Sequence, residues 1–220
     1  MAYEVYWGSG SPYSWRVLLA LTVKQVPFES KLLQFSRGDH ETPEFLAMNP
    51  RGRLPLLKDG HHVVYESVAI LSYLEKLHPT PNLLGETAAE TGAIWQTISE
   101  VDAYLCPLQE ELVATVFQDD TAGREEELRA VAAQVREEIA MYDARLAQSR
   151  YLAAPRLTAA DLVLYPTVML IGRIGTRAPA LDLGLGLHNL RAGHPNMDRW
   201  ARIIETLPGY DATYPPHWRK

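Results

Sequence analysis

The sequence predicts an α/β domain of element order β-α-β-α-β-β-α followed by an all-α domain. Three observations carry that expectation. Strand-like runs alternate with helical periodicity up to about residue 78, with Val, Tyr and Trp favouring the first strand. Asp59-Gly60 divides two short apolar runs, the signature of a tight hairpin. Past Thr80-Pro81-Asn82-Leu83-Leu84-Gly85 the β pattern stops, and every later apolar period is helical. The expected division is therefore a first domain over residues 1–79, a linker over 80–87 and a helical domain over 88–220.

Residues 3–7 read as the first strand and the apolar run from Val17 as a helix, with Ser9-Gly10-Ser11-Pro12-Tyr13-Ser14 as the turn between them. Pro12 suits a first helical turn because its missing N–H would have no partner there, which puts Ser11 at the N-cap. A hydroxyl there sits beside free backbone N–H groups and the positive end of the helix dipole, a place that favours an anion such as a thiolate. The Gln25-Val26-Pro27 break leads to a second strand over 28–34, parallel to the first because a helix connects them. A polar loop with Arg37 and His40 precedes a short helix over 43–48, which Asn49-Pro50-Arg51-Gly52 stops. Pro55 opens the third strand, where proline is tolerated and a cis bond is expected, and the fourth strand pairs with it antiparallel. Glu66-Ser67 opens a helix whose apolar face is Val68, Ile70, Leu71 and Leu74.

In the helical part, Ile94, Ile98, Val101, Leu105 and Leu108 mark one long helix, and Leu128, Val131, Val135, Ile139, Tyr142 and Leu146 mark another. Thr158 and Asp161 have capping-box spacing, with Leu157 and Leu162 at the staple positions, so a buried central helix should begin there. One more helix is expected over 196–205, and the tail Tyr214-Pro215-Pro216-His217-Trp218 is too rich in proline to continue it.

Composition narrows the function. The 220 residues are 47% hydrophobic and 22% charged, ordinary for a water-soluble globular chain. Net charge is −6, from 21 Lys and Arg against 27 Asp and Glu, which argues against general nucleic-acid binding. Arg37, His40, Arg51, Arg53 and Lys58 nonetheless gather in the first third, as a local site for a small anion would need. The single cysteine, Cys106, excludes an internal disulfide or a cysteine metal site and reads as a packed residue. A start without a signal-peptide pattern and the lack of a long apolar run lead us to expect a cytoplasmic protein.

Four pieces in this order resemble the cytosolic glutathione transferases over essentially the full length. They are Ser11-Pro12-Tyr13-Ser14-Trp15-Arg16-Val17, the run from Asn49 to Gly60, Glu66-Ser67-Val68-Ala69-Ile70 with Tyr73-Leu74, and Leu157-Thr158-Ala159-Ala160-Asp161. The resemblance implies a thioredoxin-like first domain, glutathione as co-substrate, no metal and a homodimer. It is to the serine-type members, similar to the theta, phi, zeta and tau classes, in a bacterial style. By that resemblance Ser11 falls at the catalytic hydroxyl position. Leu54 ahead of Pro55 would pair its backbone with the cysteinyl residue of glutathione, and Glu66 and Ser67 would take the γ-glutamyl end. His40 and Arg53 would take the glycine carboxylate, and Asp102 would reach the γ-glutamyl amine across a dimer interface.

The same turn resembles the Cys-Pro-Tyr-Cys motif of glutaredoxins, but serine at both cysteine positions argues against disulfide exchange. Ser14-Trp15-Arg16-Val17 also resembles the zeta-class maleylacetoacetate isomerases, although Tyr13 stands where that motif has cysteine and Glu66 where it has Gln. An isomerase is thus the second expectation, and a non-catalytic binding module of the same fold the third. Tyr6, Ser9 and Ser14 are rival hydroxyls for the sulfur. The second substrate is expected to be a small apolar electrophile bound between the domains, with Trp95, Tyr104, Leu108, Tyr165, Met169 and Trp218 as candidate wall residues.

Overall fold

The computed structural model describes residues 3–219. The first seven elements follow the predicted order: β1 (Tyr3–Gly8), α1 (Pro12–Val23), β2 (Phe28–Leu33), α2 (Pro43–Met48), β3 (Leu56–Asp59), β4 (His62–Tyr65) and α3 (Ser67–Leu77). The strands form one mixed sheet of order β2-β1-β3-β4. β1 runs parallel to β2, as a helical crossover requires, and antiparallel to β3, with Tyr6 opposite Leu56. β3 and β4 close as a hairpin in which Asp59 faces His62.

Two apolar clusters flank the sheet. Val5 and Leu57 pack with Val17, Leu18 and Leu21 of α1 and with Ile70 and Leu74 of α3. Tyr6 and Leu33 belong to the other cluster, with Phe45, Leu54 and Leu56. Neighbouring β1 residues thus divide between the clusters, as the alternation of a strand demands. The apolar run from Val17 predicts the helix, and burial extends continuously from Ser14 to Leu21. A helix that is apolar all round needs cover on both sides. One side has the sheet; the other has the end of the chain, described below.

The chain divides into two compact units, one running to Leu84 and taking in the segment from Leu207 onward, the other spanning Gly85–Thr206. The segment from Leu207 onward is thus grouped with the first unit and not with the other helices. The physical reason is Trp15 of α1, which is only 2% exposed. Its indole N–H donates to Thr213 at 2.9 Å, and its ring meets Tyr214 and Trp218 edge-on, each at 5.6 Å between centroids.

The second unit contains α4 (Ala88–Glu100), α5 (Cys106–Val116), α6 (Glu125–Gln148), α7 (Ala159–Gly175), α8 (Ala178–Asp182) and α9 (Pro195–Glu205). The long helix expected through Leu108 is α4 and α5 joined by a π-helical turn, Val101–Leu105. Pro107, which has no N–H to give, stands just past that turn, where the hydrogen-bond ladder is already re-spaced. The capping box at Thr158 and Asp161 is formed. Cys106 is buried, as its apolar neighbours suggest. After α9 the chain returns to the first unit with the short α10 (Tyr210–Thr213). Among the described residues no helix is long and apolar enough to cross a membrane.

Candidate active site

The register of the sheet assembles the candidate site. β1 ends at Gly8 and hands the chain to the Ser9–Ser11 turn. Antiparallel pairing of Tyr6 with Leu56 brings the start of β3, and hence Leu54-Pro55, to that same end. Leu56 also faces Tyr65, so β4 finishes there and delivers Glu66-Ser67. Three stretches far apart in sequence therefore meet at one end of the sheet, and two of them are linked by a hydrogen bond from Arg16 Nη1 of α1 to Ser67 Oγ of α3 at 3.5 Å. The Leu54–Pro55 bond is cis, as expected.

At the turn, Ser11 caps α1 by accepting from Ser14 N–H at 3.2 Å, and the Ser11 N–H donates to Gly8 O at 3.2 Å. Ser11 is half-buried, and its own hydroxyl proton meets no acceptor among the described residues. The rival hydroxyls are differently placed. Ser14 is fully buried and accepts from the Gly8 N–H at 3.2 Å, so it braces the strand-to-helix turn. Ser9 Oγ lies 3.0 Å from His217 Nδ1. Tyr6 donates to Glu4 Oε2 at 3.0 Å, and burial followed by that bond pushes its phenol above the ordinary range.

At the α3 start, Glu66 is exposed and has φ of +70°, a region that a residue with a Cβ rarely adopts. Such a conformation costs on the order of 1–3 kcal/mol and is typical of functional positions. It lets Ser67 open α3, where first-turn N–H groups and the dipole favour an anion. Ser67 is 6% exposed, and Arg16, 1% exposed, lies beneath it with its guanidinium 4.8 Å from the Tyr13 ring centroid. Arg16 is the residue that sequence reasoning overlooked as a site member. The available signal was a cation inside the apolar run Trp15-Arg16-Val17-Leu18, since a fully buried arginine needs partners.

The loop before α2 reaches the same end of the sheet. The Phe35 ring lies so close to Gly8 that a Cβ there would clash at 2.2 Å, and the His40 ring stands edge-on to Phe35 at 5.2 Å. A Cβ at Gly52 would sit 3.3 Å from the His40 carbonyl, which places His40 alongside the Gly52-Arg53 step. His40 Nδ1 is buried with no hydrogen-bond partner among the described residues, while Arg53 is exposed.

The family model for the glutathione S-transferase N-terminal domain matches residues 10–77, and that for the C-terminal domain matches residues 125–202. The chain belongs to the glutathione S-transferase family. It is 30% identical to a glutathione S-transferase of Silene vulgaris over 225 residues, covering 97% of each chain. It is 36% identical to glutathione S-transferase 4 of Zea mays over 165 residues, covering 73% of this chain and 74% of that one. The crystal structure of a glutathione S-transferase from the Antarctic clam Laternula elliptica superimposes with a TM-score of 0.85 at 30% identity, covering 100% of this chain and 95% of that one.

The candidate wall residues do not share one environment. Trp95 and Tyr104 are 37% and 60% exposed, and Leu108 and Met169 are half-buried. Tyr165 is fully buried and lies edge-on to Trp200 at 5.9 Å. Helical periodicity cannot separate a core ring from a wall ring. Trp218 packs on Trp15 within the first unit. Asp102 is exposed and lies 3.7 Å from the Cys106 sulfur. A surface depression of about 640 Å³ is lined by Phe117, Arg173, Arg177 and Asp182 among others, none of them a predicted site residue.

Proposed function

We propose that the chain is a glutathione transferase in which the Ser11 hydroxyl donates a hydrogen bond to the glutathione sulfur and holds it as thiolate for attack on a small apolar electrophile. One observation carries this reading: of the four candidate hydroxyls Tyr6, Ser9, Ser11 and Ser14, Ser11 alone is half-exposed with an uncommitted proton among the described residues. Tyr6 is given to Glu4, Ser9 faces His217, and Ser14 is buried under Gly8.

The energetics are sufficient. A free thiol with pKa about 8.5 is only about 3% ionised at pH 7, and lowering that pKa by roughly 2 units needs about 2.7 kcal/mol. A hydrogen bond to a charged group contributes about 1.5–3 kcal/mol, and the α1 dipole adds to it. No general base is required for ionisation at neutral pH.

The rest of the tripeptide has partners of matching chemistry. The Leu54 backbone pairs with the cysteinyl residue. Ser67 with its first-turn N–H groups receives the γ-glutamyl carboxylate, supported from below by Arg16, and exposed Glu66 accepts from the amine. His40, whose Nδ1 has no partner, and exposed Arg53 take the glycine carboxylate. Trp95 and Tyr104 offer exposed aromatic surface for the electrophile. The isomerase reading has weaker support, because the position that carries cysteine in that motif holds Tyr13, whose ring covers Arg16.

Retention on immobilised glutathione, followed by conjugation of a generic aryl halide, tests the proposal. Wild type should bind and turn over, while Ser11→Ala should bind but lose about 10- to 150-fold in kcat/KM, the factor that 1.5–3 kcal/mol represents. Failure to bind and failure to conjugate would leave a non-catalytic module. Undiminished activity in Ser11→Ala would reassign the hydroxyl.

A further inference from the structure

The segment after Leu207 follows α1 from its end back to its start. A Cβ at Gly209, whose φ is +80°, would lie 2.7 Å from the Thr22 methyl, so only glycine allows the chain to settle there. Seven residues earlier on α1, and so on the same helical face, Trp15 takes the hydrogen bond to Thr213 and the rings of Tyr210, Tyr214 and Trp218. Arg219 closes the segment on itself, with its guanidinium 5.1 Å from the Tyr214 ring centroid and a hydrogen bond to the Asp211 carbonyl at 2.9 Å. The last contacts are with the turn itself. His217 Nδ1 is 3.0 Å from Ser9 Oγ. A Cβ at Gly10, whose φ is +85°, would stand 3.1 Å from the His217 ring and 3.3 Å from the Trp218 indole nitrogen.

Gly10 is thus a glycine for two reasons, its backbone angle and the ring laid against it. A turn built on Gly10 between two serines is a poor conformational anchor by itself, since glycine has many alternative states. Ser11, flanked on one side by that turn and on the other by α1, inherits whatever freedom the turn has. An unheld hydroxyl loses much of its advantage, because small displacements of a positioned donor are costly in rate.

We propose that the chain end is a strap that fixes the Ser9-Gly10-Ser11 turn, with His217 as a positioning residue that acts on the reaction through Ser11. Its importance to catalysis rests on the reading of Ser11 given above; its action on the turn does not. His217 touches neither sulfur nor electrophile in this assignment. Asparagine can place an amide nitrogen or oxygen where Nδ1 stands, so it can keep the bond to Ser9, whereas alanine cannot.

The test uses the full chain with His217→Ala, His217→Asn, Ser11→Ala and the Ser11→Ala/His217→Ala double variant. In His217→Ala, amide hydrogen exchange over residues 9–14 should quicken at least about threefold, and kcat should fall about 3- to 10-fold with little change in KM for glutathione. His217→Asn should restore most of both. The double variant should be no slower than Ser11→Ala, as expected for two residues in series. Unchanged exchange at the turn in His217→Ala would overturn the strap, whatever Ser11 does. Additive losses in the double variant would overturn the route through Ser11. Full activity in Ser11→Ala would sink the catalytic serine alone and leave the exchange result to decide the strap.

Discussion

Two helix starts in this protein use the same chemistry to opposite ends. At α7, Thr158 and Asp161 form a reciprocal cap that is fully buried. The Asp161 carboxylate accepts from Thr158 N–H at 2.9 Å, Thr158 Oγ at 3.1 Å, Leu152 N–H at 3.0 Å and the Trp200 indole at 2.9 Å. Burial pushes its carboxyl above the ordinary range even against those donors. At α1, Ser11 accepts once and its proton is still unspent. A saturated cap holds a fold together, and an unsaturated, accessible cap is available to a ligand. α3 and α4 repeat the contrast: Ser67 opens α3 above a buried cation, while α4 is closed by Thr87 and by Glu90, whose carboxylate takes two hydrogen bonds from Arg156 at 2.9 Å.

This contrast predicts a graded series. Asp161→Ala strands several buried donors at once and should destabilise the protein by about 3–5 kcal/mol, read as a lowered denaturant midpoint. Glutathione affinity of the fraction that stays folded should be unaffected. A loss of affinity without a loss of stability would break the distinction between the two kinds of cap. Ser67→Ala should do the reverse. Under the proposed role of Ser67 in receiving the γ-glutamyl carboxylate, KM for glutathione should rise about tenfold or more, while loss of the 3.5 Å bond from Arg16 should lower the denaturant midpoint less than Asp161→Ala does.

The smallest effect belongs to α4. Hydrogen bonds from Arg156, then from the Glu86 N–H, hold the Glu90 carboxyl down at about 2. A carboxyl with a lowered folded-state pKa contributes stability above its unfolded pKa and loses it as pH falls through the folded value. The stability difference between wild type and Glu90→Gln should therefore shrink between pH about 4.5 and about 2, and salt should weaken it in part because the pair is half-exposed. A difference that grows on acidification would contradict the assignment.

Much of this was legible in the sequence for identifiable reasons. Asp59-Gly60 dictates a hairpin and Thr158 with Asp161 a helix start, because both are local backbone chemistry. Ser11, Leu54-Pro55 and Glu66-Ser67 could be singled out individually, but their meeting at one end of the sheet depends on the Tyr6–Leu56 and Leu56–Tyr65 pairings. The path of the chain end was not legible, since nothing local in Tyr214-Pro215-Pro216-His217-Trp218 says that Trp15 is its partner. The full burial of Tyr165 was not legible for a related reason: an aromatic at helical spacing carries no mark of which side will be covered. Arg16 shows that burial of a charge is itself a signal, visible in the sequence only as a cation out of place.

The central claim is that the Ser11 proton is reserved for a thiolate, and it is tested most directly by titrating the thiol of bound glutathione through its ultraviolet thiolate absorbance. In wild type the bound thiol should ionise roughly 2 units below the free value of about 8.5, and in Ser11→Ala it should return by 1–2 units toward that value. A bound thiol whose pKa stays depressed in Ser11→Ala would contradict the account.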